Sequence, residues 1–226
     1  MEKYEIEPGI ILVDKPSGIS SFDVIRILRK TVGKELGIWK MGHAGTLDPR
    51  ASGLMIIALG SATKKLSEYL KLPKEYKAEI LFGVKTDTGD LDGKVIEQMG
   101  EGEMPKLSVE DVTTALSELI GEPELAVPVY SAIKRAGKPL YEYARAGQTV
   151  DKVVKKMGVS CAELVDFVFP KIKVKFAVAS GTYIRSLAEE LGRKLKVPAT
   201  LAGLRRTSIA GWKVENAMKI ENMREV

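Results

Sequence analysis

The alternation of apolar and polar positions is sharpest over residues 171–179. There Ile172, Val174, Phe176 and Val178 share one face, and Lys171, Lys173 and Lys175 share the other. Period two predicts a half-buried strand. The period then changes: Ile184, Leu187, Ala188, Leu191 and Leu195 recur at helical spacing, which predicts an amphipathic helix over 182–195. A stripe of Val24, Ile27, Leu28 and Val32 follows Ser20 and Asp23. Another, of Val112, Ala115, Leu116, Leu119 and Ile120, follows Ser108 and Asp111. Both openings have capping-box spacing.

Short apolar runs at 10–13 and 54–59 read as buried strands. Residues 76–84 predict a strand, 85–92 a turn and 94–98 the returning strand. Residues 123–138, with Pro123, Pro128 and Gly137, predict an irregular excursion, and a short helix is expected at 139–146. Strands and helices mix without strict βαβ alternation. The expected class is therefore α+β, a mixed and mostly antiparallel sheet flanked by helices.

Apolar residues make up 45% of the chain, enough for a core. The lone Cys161 has no disulfide partner and reads as a small core residue. One cysteine and one histidine argue against a structural zinc site. No apolar run is long enough to span a bilayer and no leader opens the chain, so a cytoplasmic protein is expected.

Charge is unevenly placed. Residues 127–157 hold seven bases (Lys134, Arg135, Lys138, Arg145, Lys152, Lys155 and Lys156) against Glu142 and Asp151, as large an excess as the net +5 of the whole chain. Tyr141 and Tyr143 lie among them. Such a segment suits a phosphate backbone with stackable bases, and equally a plain solvated surface.

Phosphate-binding glycine loops are absent. The acidic run 87–93 fails as a calcium loop, because Thr88 and Met99 would occupy positions that require carboxylates. It reads as a hairpin turn.

The stretch Gly42-His43-Ala44-Gly45-Thr46-Leu47-Asp48-Pro49-Arg50-Ala51-Ser52-Gly53 holds the only histidine and precedes the buried run. It reads as a loop carrying one carboxylate, with Pro49 fixing the turn that aims Asp48. Arg185 falls in the first turn of a predicted helix, where a cation opposes the helix dipole. Either it snorkels to solvent or a carboxylate compensates it; placed beside Asp48 it would keep that aspartate ionised.

Seven segments in family order resemble the TruB family of pseudouridine synthases. They are the 42–53 loop, Asp14-Lys15-Pro16-Ser17-Gly18-Ile19-Ser20-Ser21, Lys74-Glu75-Tyr76-Lys77-Ala78, the run 82–90, Val129-Tyr130-Ser131-Ala132-Ile133-Lys134, Ser180-Gly181-Thr182-Tyr183-Ile184-Arg185, and Leu204-Arg205-Arg206. The resemblance implies a pseudouridine-synthase fold and an isomerase acting on the T-loop uridine of tRNA (position 55 in tRNA convention).

It implies Asp48 as nucleophile, Tyr76 stacked on the flipped uracil, and Arg185 paired with the aspartate. His43 would enter the RNA loop, and Tyr183 and Leu204 would line the uridine pocket. It further implies no metal or other cofactor, tRNA as partner, no membrane, no obligate protein partner and a monomer. The expected organisation is one catalytic domain over 1–226, with a mobile RNA-binding insertion at about 124–152 and no C-terminal PUA-type domain. Two alternatives stay open: a guide-RNA-dependent synthase on ribosomal RNA, and an RNA-binding or tRNA-folding module with secondary catalysis. Ala44 stands where the family usually has Thr or Ser, which removes a hydroxyl but no catalytic group.

Overall fold

A computed structural model describes residues 9–100, 102–148 and 150–220. The chain forms two compact units, Met1–Lys77 with Leu204–Val226, and Ala78–Gly203. The strands Lys74–Phe82 and Ala199–Ile209 each pass from one unit into the other. The class is α+β, with mixed sheet pairing and flanking helices.

In the first unit the strands run in the order Met218–Lys219, Ile10–Lys15, Ser52–Leu59, Ala199–Ile209. The middle pair is antiparallel and each outer pairing is parallel. The apolar run of Ser52–Leu59 is buried on both faces from Gly53 onward, as a covered central strand requires. Ile10, Leu12, Leu54 and Ile56 pack with Tyr69 and Trp212, whose rings sit 5.7 Å apart. The helix Ser21–Leu28 opens on the expected capping box, with Ser20 as N-cap. A π-helical segment, Arg29–Gly33, follows it, so the stripe loses phase and Val32 is only half-buried.

In the second unit Val159–Val168 pairs antiparallel with Lys171–Val178. The latter buries the four predicted apolar positions. The helix Ile184–Leu195 buries Ile184, Leu187, Ala188 and Leu191 and packs on the helix Val109–Ser117.

Several local expectations are corrected. The predicted 76–84 strand is Lys74–Phe82; it stops at Gly83, whose φ is +86°. The chain restarts as Val84–Thr86 paired with Val95–Gln98, so Lys85 and Thr86 belong to a strand rather than to the turn. Ile120 is exposed, because the second capped helix ends at Ser117 and the helical phase is lost there, although Leu119 of the same stripe stays buried. Cys161 is half-buried beside a register shift. Those shifts break the alternation of Val159–Val168, which is why the pattern did not show that strand. Part of the expected irregular excursion is ordered: Glu124–Ala126 pairs with Val154–Lys156.

Candidate functional site

The loop carrying Asp48 is tied down within the first unit. Met41–His43 pairs antiparallel with Ser52–Leu59, setting His43 opposite Ile57. The Ala44 amide continues the ladder to the Ile56 carbonyl at 3.0 Å, and Ala44 itself is fully buried. Ser21 Oγ accepts the Leu47 amide at 2.8 Å and donates to the Leu47 carbonyl at 2.9 Å. The Ala51 amide closes the Asp48-Pro49-Arg50-Ala51 turn onto the Asp48 carbonyl at 3.0 Å, with proline where a type I turn favours it.

The 14–21 segment completes this clamp. The Gly18 amide and Lys15 Nζ both donate to the Pro49 carbonyl, at 2.9 and 3.1 Å. Ser17 Oγ donates to the Arg50 carbonyl at 2.7 Å. Asp48 is thus a half-buried carboxylate on a turn whose backbone is held from both sides.

Three cations are buried in the same unit: Lys15, Lys74 and Arg206 are each 6% exposed or less. Arg206 donates to the Leu54 carbonyl at 2.6 Å and the Gly45 carbonyl at 3.0 Å. Lys74 donates to the carbonyls of Leu70 and Leu72. Burial lowers the pKa of Lys15 to about 8; the Asp48 charge opposes that shift, and Arg206 adds to it. Lys74 is lowered to about 8 by burial and by Arg206. The same two causes hold His43 below its ordinary value, and His43 Nδ1 is buried without a hydrogen-bond partner among the described residues. Arg206 is therefore the common electrostatic neighbour of Lys15, Lys74 and His43.

Tyr76 is buried on the face of Lys74–Phe82 that also carries Lys74, Ala78, Ile80 and Phe82. Leu204 is half-buried within Ala199–Ile209. These two join His43 and Asp48 in the first unit; Tyr183 and Arg185 belong to the second. Tyr183 is the N-cap of Ile184–Leu195, and its amide contacts Met157 Sδ at 3.5 Å.

Arg185 is buried rather than snorkelling. It donates to the carbonyls of Thr88 at 2.8 Å and Tyr130 at 3.0 Å, and its Nε lies 3.9 Å from Asp90 Oδ2. The Asp90 carboxylate compensates the cation that the helix start disfavours. Asp90 is itself fixed, its Oδ1 accepting from Thr88 Oγ1 and the Asp92 amide. Gly89, at φ +77°, lets that turn approach the helix: a Cβ there would meet Arg185 and Glu189 at 3.3 and 3.2 Å.

Sequence reasoning missed the cation cluster and the bidentate pair of Arg205 with Asp14, at 2.7 and 3.0 Å. A signal for Lys74 was present, since it occupies the apolar phase of its strand. Chemically, the first unit offers an anchored carboxylate whose charge acts on the buried Lys15, suited to nucleophilic attack. Among the described residues no group of His, Cys, Asp and Glu could hold a metal ion.

A family model described as "TruB family pseudouridylate synthase (N terminal domain)" matches residues 29–184. The chain is 40% identical over 215 residues to tRNA pseudouridine synthase B of Bordetella pertussis, covering 94% of this chain and 85% of the relative. Against the protein of that name from Caldicellulosiruptor saccharolyticus it is 41% identical over 217 residues, covering 96% and 72%. Among solved structures, a chain of a Cbf5-Nop10-Gar1 complex superposes with TM-score 0.71 at 27% identity, covering 96% of this chain. The chain spans about half (53%) of that solved chain.

Proposed function

The chain belongs to the TruB family of pseudouridylate synthases, and from that premise we propose that it isomerises uridine to pseudouridine in tRNA, at the T-loop uridine, with Asp48 as nucleophile. The reaction breaks the bond from C1′ to N1 and makes one from C1′ to C5. A proton leaves C5 and one is gained at N1, so no redox partner or group donor is required. The Asp48 carboxylate attacks either C1′ or C6, and both routes need it ionised and fixed. The observation that carries the reading is the clamp from 14–21 on the Asp48 turn.

The remaining roles follow from the family match at these positions. Tyr76 supplies an aromatic face for the uracil once it leaves its stack, offsetting an unstacking cost of a few kcal/mol. His43, held neutral, enters the RNA loop. Tyr183 and Leu204 line the uridine pocket, and Arg185 serves the Asp48 charge. The basic insertion at about 124–152 closes on the RNA. Two of its tyrosines already carry cations on their faces, Lys138 over Tyr143 at 4.9 Å and Arg145 over Tyr141 at 5.4 Å, a pairing that base stacking can replace. We take the protein to act as a monomer in the cytoplasm; no helix of the described residues is long and apolar enough to cross a membrane.

The test is single-site pseudouridine mapping on an unmodified tRNA transcript incubated with the purified chain alone. The expected result is one new pseudouridine, in the T loop, lost in Asp48→Asn while tRNA binding persists. Wild-type turnover by Asp48→Asn would sink the mechanism. Absence of product from the unsubstituted chain would transfer the reading to a guide-directed reaction or to another RNA.

A further inference from the structure

Residues 26–40 of the first unit carry Arg26, Arg29, Lys30, Lys34 and Lys40 against a single acid, Glu35, and the function just described uses none of them. Trp39 among them is 60% exposed, whereas the chain's other tryptophan, Trp212, is buried. The backbone beneath the exposed indole is fixed. Its carbonyl accepts Arg29 Nε at 3.1 Å, the Ile38 amide donates to the Gly33 carbonyl at 2.9 Å, and the Lys40 carbonyl accepts the Gly60 amide at 2.7 Å. Lys34 and Lys40 are exposed, and among the described residues neither forms an ion pair with a carboxylate.

We propose that Trp39, with Lys34 and Lys40, forms an additional RNA contact, in which the indole stacks on an unpaired base of the tRNA other than the reacting uridine and the lysines hold the flanking phosphates. A planar aromatic exposed on an anchored backbone, with cations near it in the sequence that pair with no carboxylate among the described residues, has the two parts that sequence-tolerant RNA binding uses. An acidic protein surface would engage the lysines but gives no reason for a rigidly presented indole. The place also fits, because the backbone runs two residues on into Met41–His43, the strand that carries His43. The inference rests on the tRNA reading of the same unit and extends it to a second point of contact.

Binding is measured to unmodified tRNA in the Asp48→Asn background, so that turnover plays no part. Trp39→Ala weakens binding roughly five- to 150-fold, the range of one lost base stack, while Trp39→Phe retains most of the affinity. Replacing Lys34 and Lys40 together by Gln lowers the slope of log affinity against log salt by about one to two. In the active enzyme, Trp39→Ala raises KM more than it lowers kcat. Unchanged affinity in Trp39→Ala together with an unchanged salt slope in the lysine variant overturns the proposal. Failure of the unsubstituted chain to make pseudouridine defeats the parent reading instead, and the binding series still decides this surface.

Discussion

One side chain closes both backbone groups of the residue before the candidate nucleophile: Ser21 Oγ lies 2.8 Å from the Leu47 amide and 2.9 Å from the Leu47 carbonyl. Ser21 is buried in the first turn of a helix whose capping box fixes where that turn begins. Ser21→Ala leaves a buried donor and a buried acceptor unpaired, which costs about 1–3 kcal/mol of stability. Its larger effect is on positioning, since a small displacement of a reacting group can cost up to about a hundredfold in rate. We expect kcat for pseudouridine formation to fall about ten- to a hundredfold, with KM moving less, and Ser21→Thr to recover part of the loss. A kcat equal to wild type in Ser21→Ala would show that the clamp is irrelevant to chemistry.

Gly53 leaves no room for a side chain between two paired strands. At φ +109°, a Cβ built on it would stand 2.2 Å from the Arg206 carbonyl oxygen, in the parallel pairing of these two residues. Backbone cannot yield as a flexible side chain can. Gly53→Ala should therefore destabilise by about 3 kcal/mol or more. Gly37 has a φ of +66° and nothing within 4 Å of its added Cβ. Gly37→Ala should cost only about 1–2 kcal/mol, the penalty of a left-handed residue. Urea unfolding of the two variants checks the contrast, and similar midpoints would contradict it.

What the sequence disclosed follows from the range of the interactions involved. Capping boxes at Ser20 and Ser108 and the alternation of 171–178 act over a few residues, so they could be read directly. Asp48, His43, Tyr76, Arg185, Tyr183 and Leu204 could be named because the segments carrying them match a family, not because any one spacing required them. The partners that hold them were not legible. Lys15 reaches a carbonyl 34 residues away, Arg206 one 152 residues away, and Arg205 meets Asp14 across 191 residues. Nothing local encodes such pairings. A lysine in the apolar phase of a strand, as at Lys74, is the one trace they leave.

His43 is the chain's only histidine, so its ring resonances titrate without overlap. Burial and then Arg206 lower its pKa, and the NMR midpoint should fall below the ordinary 6.5. The unfolded chain takes up this proton first as pH falls. Stability should therefore drop as pH falls from about 6.5 toward the folded-state midpoint, and His43→Gln should remove that part of the slope. A midpoint at or above 6.5 would mean that the ring is solvated or paired with an anion, contrary to its orphaned Nδ1.

Lys74 gives the opposite end of the pH scale. Its folded pKa is lowered to about 8 from 10.5, so between those values the unfolded chain holds the proton that the folded chain has released. Stability contributed by this group must rise with pH across that window and level off above it. Other lysines and the tyrosines titrate there too, so the informative quantity is the difference between wild type and Lys74→Met. Methionine keeps an apolar stem in the same space but carries no proton. The variant's unfolding free energy should climb less steeply from about pH 8 to 10.5, by no more than the slope of one proton. Parallel curves would show that Lys74 keeps its proton in the folded chain, and that the carbonyls of Leu70 and Leu72 offset the combined effect of burial and Arg206.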